Sequence, residues 1–233
     1  MTEPAYLPLS SGSQPPYAVP SYTSSLLRAP HQPLVALAPT IERSGPVFSP
    51  SQFLITADLS HEAGRSAFGQ RILVAGRVTD EADRPVPNTM IELWQANAAG
   101  RYHHVADARD APLDPNFRGN GRVFTDPEGY YHFLSIKPGA YPWGNHHNAW
   151  RPAHIHFSLF GASWGARLIT QMYFPDDPLL AFDPIYQAIP DPAARARLVA
   201  AFDLDLTQPN LALGYRFDIV LRGLHATPME GAR

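Results

Sequence analysis

The chain of 233 residues has no cysteine, a single lysine (Lys137), and no apolar run approaching the roughly 20 residues needed to span a bilayer. Without thiols, disulfides, zinc–thiolate centres and cysteine nucleophiles are excluded, so any metal must be held by His, Tyr, Asp or Glu. The N-terminus lacks the basic-then-apolar order of a secretory leader, which together with the missing apolar run leads us to expect a cytoplasmic protein with no membrane partner. A formal net charge of −3 offers no basic stripe to neutralise phosphates and argues against nucleic acid as a partner. Helical periodicity is also scarce, and 25 prolines punctuate the chain.

What is present is a hydrophobic fraction of 45%, enough for a sizeable core in one large domain. Residues 1–50 form a Pro-rich arm in which Pro15, Pro16, Pro20, Pro30, Pro33, Pro39, Pro46 and Pro50 forbid a long helix or a central strand. Its recurring Tyr and Leu residues suggest an extended segment laid over the protein's own core or over a partner chain. Residues 51–233 are expected to form the catalytic domain. From residue 70 onward short alternating strands are predicted over 71–78, 87–95, 123–125, 130–135, 153–160, 167–174 and 214–221, with turn residues between them. One helix is predicted near 192–202, where Asp191 caps, Pro192 takes the first helical position and good helix formers follow. This pattern reads as an all-β chain, a β-sandwich with long loops.

The segment YPWGNHHNAWRPAHIHFSL (residues 141–159) concentrates the chemistry. Because successive side chains of a strand point to opposite faces, His154, His156 and Ser158 share one face and Ile155, Phe157 and Leu159 the other. Two imidazoles projecting together from a rigid strand are half of a metal site. The remaining ligands have to come from nearby loops, where His103, His104, His132, His146, His147, Tyr102, Tyr141 and scattered carboxylates are all candidates. Tyrosine ionises near pH 10 and becomes a ligand only when a hard cation deprotonates it. On residue chemistry alone, Tyr102 and Tyr141 read as ordinary loop aromatics packing on the sandwich end.

The runs IELWQANAAGRY, APLDPNF, GYYHF, IKPGAYPW, WRPAHIHFSL, LITQMYF and YRFDIVLRG occur in order across most of the chain and resemble the intradiol ring-cleavage dioxygenases. The resemblance implies a β-sandwich and Fe(III) held by Tyr102, Tyr141, His154 and His156, with Tyr141 the ligand released when a catechol binds. It implies Arg151 as a cation stabilising charge near the ring, and Tyr22, Trp94, Trp143, Arg151 and Gln171 as substrate contacts. The expected reaction is O2-dependent cleavage of protocatechuate to 3-carboxy-cis,cis-muconate by a chain working beside a related α chain in a hetero-oligomer. Another catechol or hydroxyquinol is the alternative substrate, and a non-catalytic transthyretin-like binding sandwich the alternative class. Two departures bear on substrate choice. Gly144 stands in YPWGN where the family commonly has arginine, and the loop after Tyr102 reads RYHHVADARDAPLDP, without the second tyrosine often found there. His103, His104, His146 and His147 are read as solvated loop residues.

Overall fold

A computed structural model describes residues 10–28, 51, 53–144, 149–160 and 167–230. Its strands are β1 (His61–Glu62), β2 (Arg65–Ser66), β3 (Arg71–Thr79), β4 (Met90–Trp94), β5 (Asn120–Phe124), β6 (Tyr130–Ile136), β7 (Tyr141–Trp143), β8 (Ala149–Arg151), β9 (His154–Phe160), β10 (Leu168–Tyr173), β11 (Ala201–Phe202), β12 (Leu213–Arg216) and β13 (Ile219–Val220). Three short helices accompany them, α1 (Thr23–Arg28), α2 (Pro184–Gln187) and α3 (Pro192–Ala196), with a 3-10 turn at Pro178–Ala181.

The strands form two principal sheets. One runs β10-β9-β4-β5, antiparallel throughout. In the other, β3 pairs antiparallel with β6 and parallel with β12 and β13, and β11 extends the edge beyond β12. The core lies between them, as the alternation predicts. Ile72, Val74 and Val78 of β3 and Phe133 of β6 face Ile155, Phe157 and Leu159 of β9, all of them fully buried. Phe157 meets Phe133 at 5.9 Å and Phe217 at 5.2 Å between ring centroids, so the strand carrying the two imidazoles is fixed from behind by aromatic packing. Burial of such a ring stabilises by roughly 1.5–3 kcal/mol.

Three expectations are corrected. The strand expected over 214–221 is two, β12 and β13, because Phe217 N donates to Ala75 O and Asp218 Oδ1 takes the Arg77 N–H, replacing a backbone acceptor with a side chain. The helix expected near 192–202 ends at Ala196. Beyond it, Leu198 O and Ala200 N exchange hydrogen bonds with Tyr173, and Ala201–Phe202 pairs with β12, so tertiary partners take the backbone from the helix. Nor is that helix alone. Asp177-Pro178 and Asp183-Pro184 repeat the Asp-Pro capping signal, with each Asp accepting a backbone N–H two residues on. Of the arm expected over 1–50, the described part contains the short helix α1; the rest lies outside the described residues.

Among the described residues, no helix is long and apolar enough to cross a membrane.

Candidate metal centre

Position in the sheet determines what surrounds the imidazoles. β9 is an inner strand, and its register sets His156 opposite Trp94 of β4 on one side and Gln171 of β10 on the other, with His154 opposite Tyr173. Cross-strand neighbours share a face, so the indole of Trp94 stacks on the His156 ring at 4.7 Å and an interplanar angle of 4°. β8 leads directly into β9 and pairs with β7, setting Arg151 opposite Tyr141.

The loop carrying Tyr102 is brought up to Tyr141 by backbone geometry. Asn97 Oδ1 accepts from Ala99 N and Arg101 N, and Asn97 O accepts from Gly100 N and Gly139 N. Gly100 has φ +77°, and a Cβ there would strike the Ala140 carbonyl, so only glycine permits this approach. Tyr102 N then donates to Asp107 Oδ2 at 2.8 Å, and Asp107 is held by Arg109. The Arg109 guanidinium lies 4.3 Å from the Tyr141 ring centroid, a cation–π contact that ties both tyrosines to one ion pair.

Four donor atoms converge. Tyr102 Oη lies 3.1 Å from His156 Nε2 and 3.5 Å from both His154 Nε2 and Tyr141 Oη, and Tyr141 Oη lies 3.3 Å from His154 Nε2. Donors held at about 2.0–2.2 Å from one ion stand roughly 3.0–3.5 Å apart, so these separations suit a shared metal. No group of three or more His, Cys, Asp or Glu among the described residues could hold one, which leaves this mixed phenol–imidazole set.

Both rings turn Nε2 toward the other donors. His154 Nδ1 lies 2.7 Å from Pro152 O and His156 Nδ1 lies 2.8 Å from Glu230 Oε2; each acceptor calls for an N–H at Nδ1 and leaves the Nε2 lone pair available. Burial, reinforced by the charge of Arg151 and by His156, holds the His154 pKa well below the ordinary imidazole value, so the ring is a neutral donor. Burial raises the pKa of both Tyr102 and Tyr141, so each phenol keeps its proton unless a cation sits among the donors.

Behind Tyr141 lies a buried polar network. The Arg151 guanidinium has Nε 3.1 Å from Asp183 Oδ1, while its NH2 group donates to Gln171 Oε1 and lies 3.3 Å from Tyr173 Oη. Burial alone would depress its pKa, but Tyr173 and Asp183 outweigh that and raise it, so Arg151 is a permanent cation. Its charge also lies 5.4 Å from the Trp143 ring centroid. A cavity of about 670 Å³ opens in front of the donors, lined by Trp94, Tyr102, Tyr141, Trp143 and Gly144 among others. Tyr22 packs on Trp143 at 4.8 Å and so brings the N-terminal arm to the cavity wall.

A family model described as "Dioxygenase" matches residues 43–223, most of the chain. The chain belongs to the intradiol dioxygenase family. A second family model, described as the N terminal of the protocatechuate 3,4-dioxygenase beta subunit, matches residues 10–40 of this intradiol dioxygenase. The chain is 56% identical to the protocatechuate 3,4-dioxygenase beta chain of Burkholderia cepacia over 94% of each. It is 30% identical to the alpha chain from the same organism, over 69% of this chain and 77% of that one. Among solved structures, the dioxygenase domain from Streptomyces sp. SirexAA-E is 26% identical with a TM-score of 0.52, over 77% of this chain and 94% of that one. The 3-chlorocatechol 1,2-dioxygenase of Rhodococcus opacus 1CP, 22% identical with a TM-score of 0.55 over 77% and 70%, shares the fold.

Of the site residues expected from the sequence, Trp94, Tyr102, Tyr141 and Trp143 line the cavity; His154 and His156 meet the two phenols, Arg151 and Gln171 lie in the buried network behind Tyr141, and Tyr22 packs on Trp143. His103 and His104 are exposed on the cavity rim, and His132 is exposed on β6. His146 and His147 lie outside the described residues. Trp150 is 49% exposed. Sequence reasoning missed Asp107, Arg109, Tyr173, Asp183 and Glu230. The Asp-Pro cap at Asp183 was the one local signal among them.

Proposed function

We propose that this chain is the iron-bearing β chain of an intradiol dioxygenase that cleaves protocatechuate with O2, between its two hydroxylated carbons, to 3-carboxy-cis,cis-muconate. The observation that carries the proposal is the convergence of two phenols and two oriented imidazoles beside a buried arginine, in a chain 56% identical to a protocatechuate 3,4-dioxygenase beta chain. Tyr102, Tyr141, His154 and His156 are the ligands of Fe(III), since two tyrosinates balance much of the charge of a hard trivalent ion and two neutral imidazoles complete the set.

Ferric iron, when bound, supplies a Lewis acid that chelates the deprotonated catechol and gives its ring carbanion character toward dioxygen. The chain's own groups do the rest. The Tyr141 phenolate oxygen accepts a catechol proton as substrate enters. Arg151, held rigidly by Asp183 and Gln171, presents a fixed positive charge to negative charge developing near the ring. Trp94 and Trp143 wall the ring in, Gln171 holds Arg151 in place, and Tyr22 contributes a hydroxyl toward the substrate carboxylate.

An α chain is the proposed partner, supported by the likeness to both chains of the Burkholderia cepacia enzyme. One observation favours a broader substrate range. Among the described residues, a side chain built at Gly144 would meet nothing within 4 Å, so this position leaves room and carries no charge where the family commonly carries arginine. Oxygen consumption with protocatechuate, catechol and hydroxyquinol, measured on iron-loaded chain with and without its partner, tests the proposal. Fastest turnover of protocatechuate is expected, and turnover of none of the three would overturn it.

A further inference from the structure

After β13 the chain doubles back as a C-terminal strap against β10. Thr227 N donates to Val220 O and Val220 N to Thr227 Oγ1; Thr170 Oγ1 donates to Pro228 O, and Glu230 N to Ile169 O at 2.7 Å. Met229 N donates to Gln14 Oε1 at 2.8 Å, so the N-terminal arm closes over the strap. Ala226, Thr227 and Pro228 are buried. These contacts leave one freedom unassigned, the direction of the Glu230 side chain, and it turns inward to place Oε2 2.8 Å from His156 Nδ1.

The backbone contacts of the strap do not themselves require a carboxylate there. The strap is already held by its backbone, and bringing an anion to a side-chain exposure of 23% costs free energy unless it is paired. Gln171 and the charge of Arg151 also act on it, but its close contact is with the ring whose Nε2 meets Tyr102 Oη, and Trp94 stacks on the face of the same ring.

We propose that Glu230 is a positioning residue for His156. It accepts the Nδ1–H, fixes the tautomer with its Nε2 lone pair toward the other donors, and, delivered by the strap and Gln14, couples both ends of the chain to metal retention. The inference rests on the metal site proposed above and deepens it.

The test uses the full chain, with its partner where one co-purifies, loaded with Fe(III). Release of iron to a chelator is followed by loss of the visible tyrosinate–iron absorbance, beside thermal unfolding of the iron-free protein. Glu230→Ala is expected to hold iron about 10- to 100-fold more weakly, with a shifted absorbance band and little change in iron-free unfolding. Glu230→Gln retains an acceptor oxygen and is expected to recover most of the loss. Gln14→Ala, which removes the hydrogen bond from Met229 N, is expected to speed release several-fold and stands in for Glu230→Ala should that variant not fold. Release and absorbance unchanged in Glu230→Ala would overturn the inference, as would equal losses in Glu230→Ala and Glu230→Gln that track a lowered unfolding temperature. Wild-type release matched by Gln14→Ala would remove the arm from it. A wild-type chain that takes up no iron overturns the metal reading itself, and the role of Glu230 with it.

Discussion

Arg151 Nε lies 3.1 Å from Asp183 Oδ1, and neither side chain is more than 3% exposed. A guanidinium buried this deeply beside the proposed metal centre needs a fixed counter-charge, and Asp183 supplies it while its Oδ1 also caps α2 through Ile185 N. A salt bridge and a catalytic cation are therefore compatible descriptions of Arg151, because the ion pair is what holds the charge in place.

Asp183→Asn keeps the shape and a capping oxygen but leaves the Arg151 charge unpaired. We expect a loss of about 3–5 kcal/mol in stability, read by urea denaturation, together with a lower kcat. A double variant that also carries Arg151→Gln should be less damaged than the two single changes added together. Strict additivity would mean the two residues are not coupled.

Ligand substitutions should separate by type. His154→Ala removes a donor fixed on a rigid strand and should abolish iron binding, measured as iron per chain. Tyr141→Phe should retain part of the iron, shift the visible band, and slow turnover through loss of the proton-accepting oxygen. Wild-type activity in His154→Ala would refute the ligand assignment.

Gly144→Arg fits the open rim without backbone strain, since Gly144 is not among the residues of positive φ. Folding should be unchanged. An exposed charge facing a carboxylate contributes about 1 kcal/mol or less, so KM for protocatechuate should fall by roughly fivefold at most, with KM for catechol unaffected. Equal changes for both substrates would show that position 144 does not read the carboxylate.

Acid sensitivity has a contributor outside the candidate metal centre. Burial opposes ionisation of Asp80, but hydrogen bonds from Arg84 and from the backbone N–H groups of Ala82 and Arg84 outweigh it and lower its pKa below 3.8. A depressed carboxylate stabilises fully above its unfolded pKa, and that stabilisation is lost as pH falls through the folded value. Asp80→Asn should therefore cost roughly 1 kcal/mol at neutral pH and flatten the decline in stability below about pH 4. Unfolding free energy measured from pH 7 down to pH 2 checks this, and an unchanged acid slope would rule it out.

Much of the site was legible before the fold was known. Alternation along residues 153–160 already separated the imidazole face from the core face, whereas Tyr102 and Tyr141 were associated with it only through the family resemblance. Gly144 was readable as a departure because it interrupts a local pattern. Helix extent was misjudged at 192–202 because capping and propensity describe only local energetics, whereas Tyr173 and β12 compete for the same backbone.

The sequence by itself determined the strand character, the absence of thiol chemistry, the Asp-Pro caps and which residue types could bind a hard cation, since all of these follow from side-chain chemistry and short-range spacing. Only the tertiary structure decided that Glu230 meets His156, that Asp183 pairs with Arg151, that Trp94 stacks on His156 and that Arg109 covers Tyr141. Those partners are joined by strand register and by the path of loops and tail, and register depends on how two sheets bury a shared core, which no local window of residues encodes.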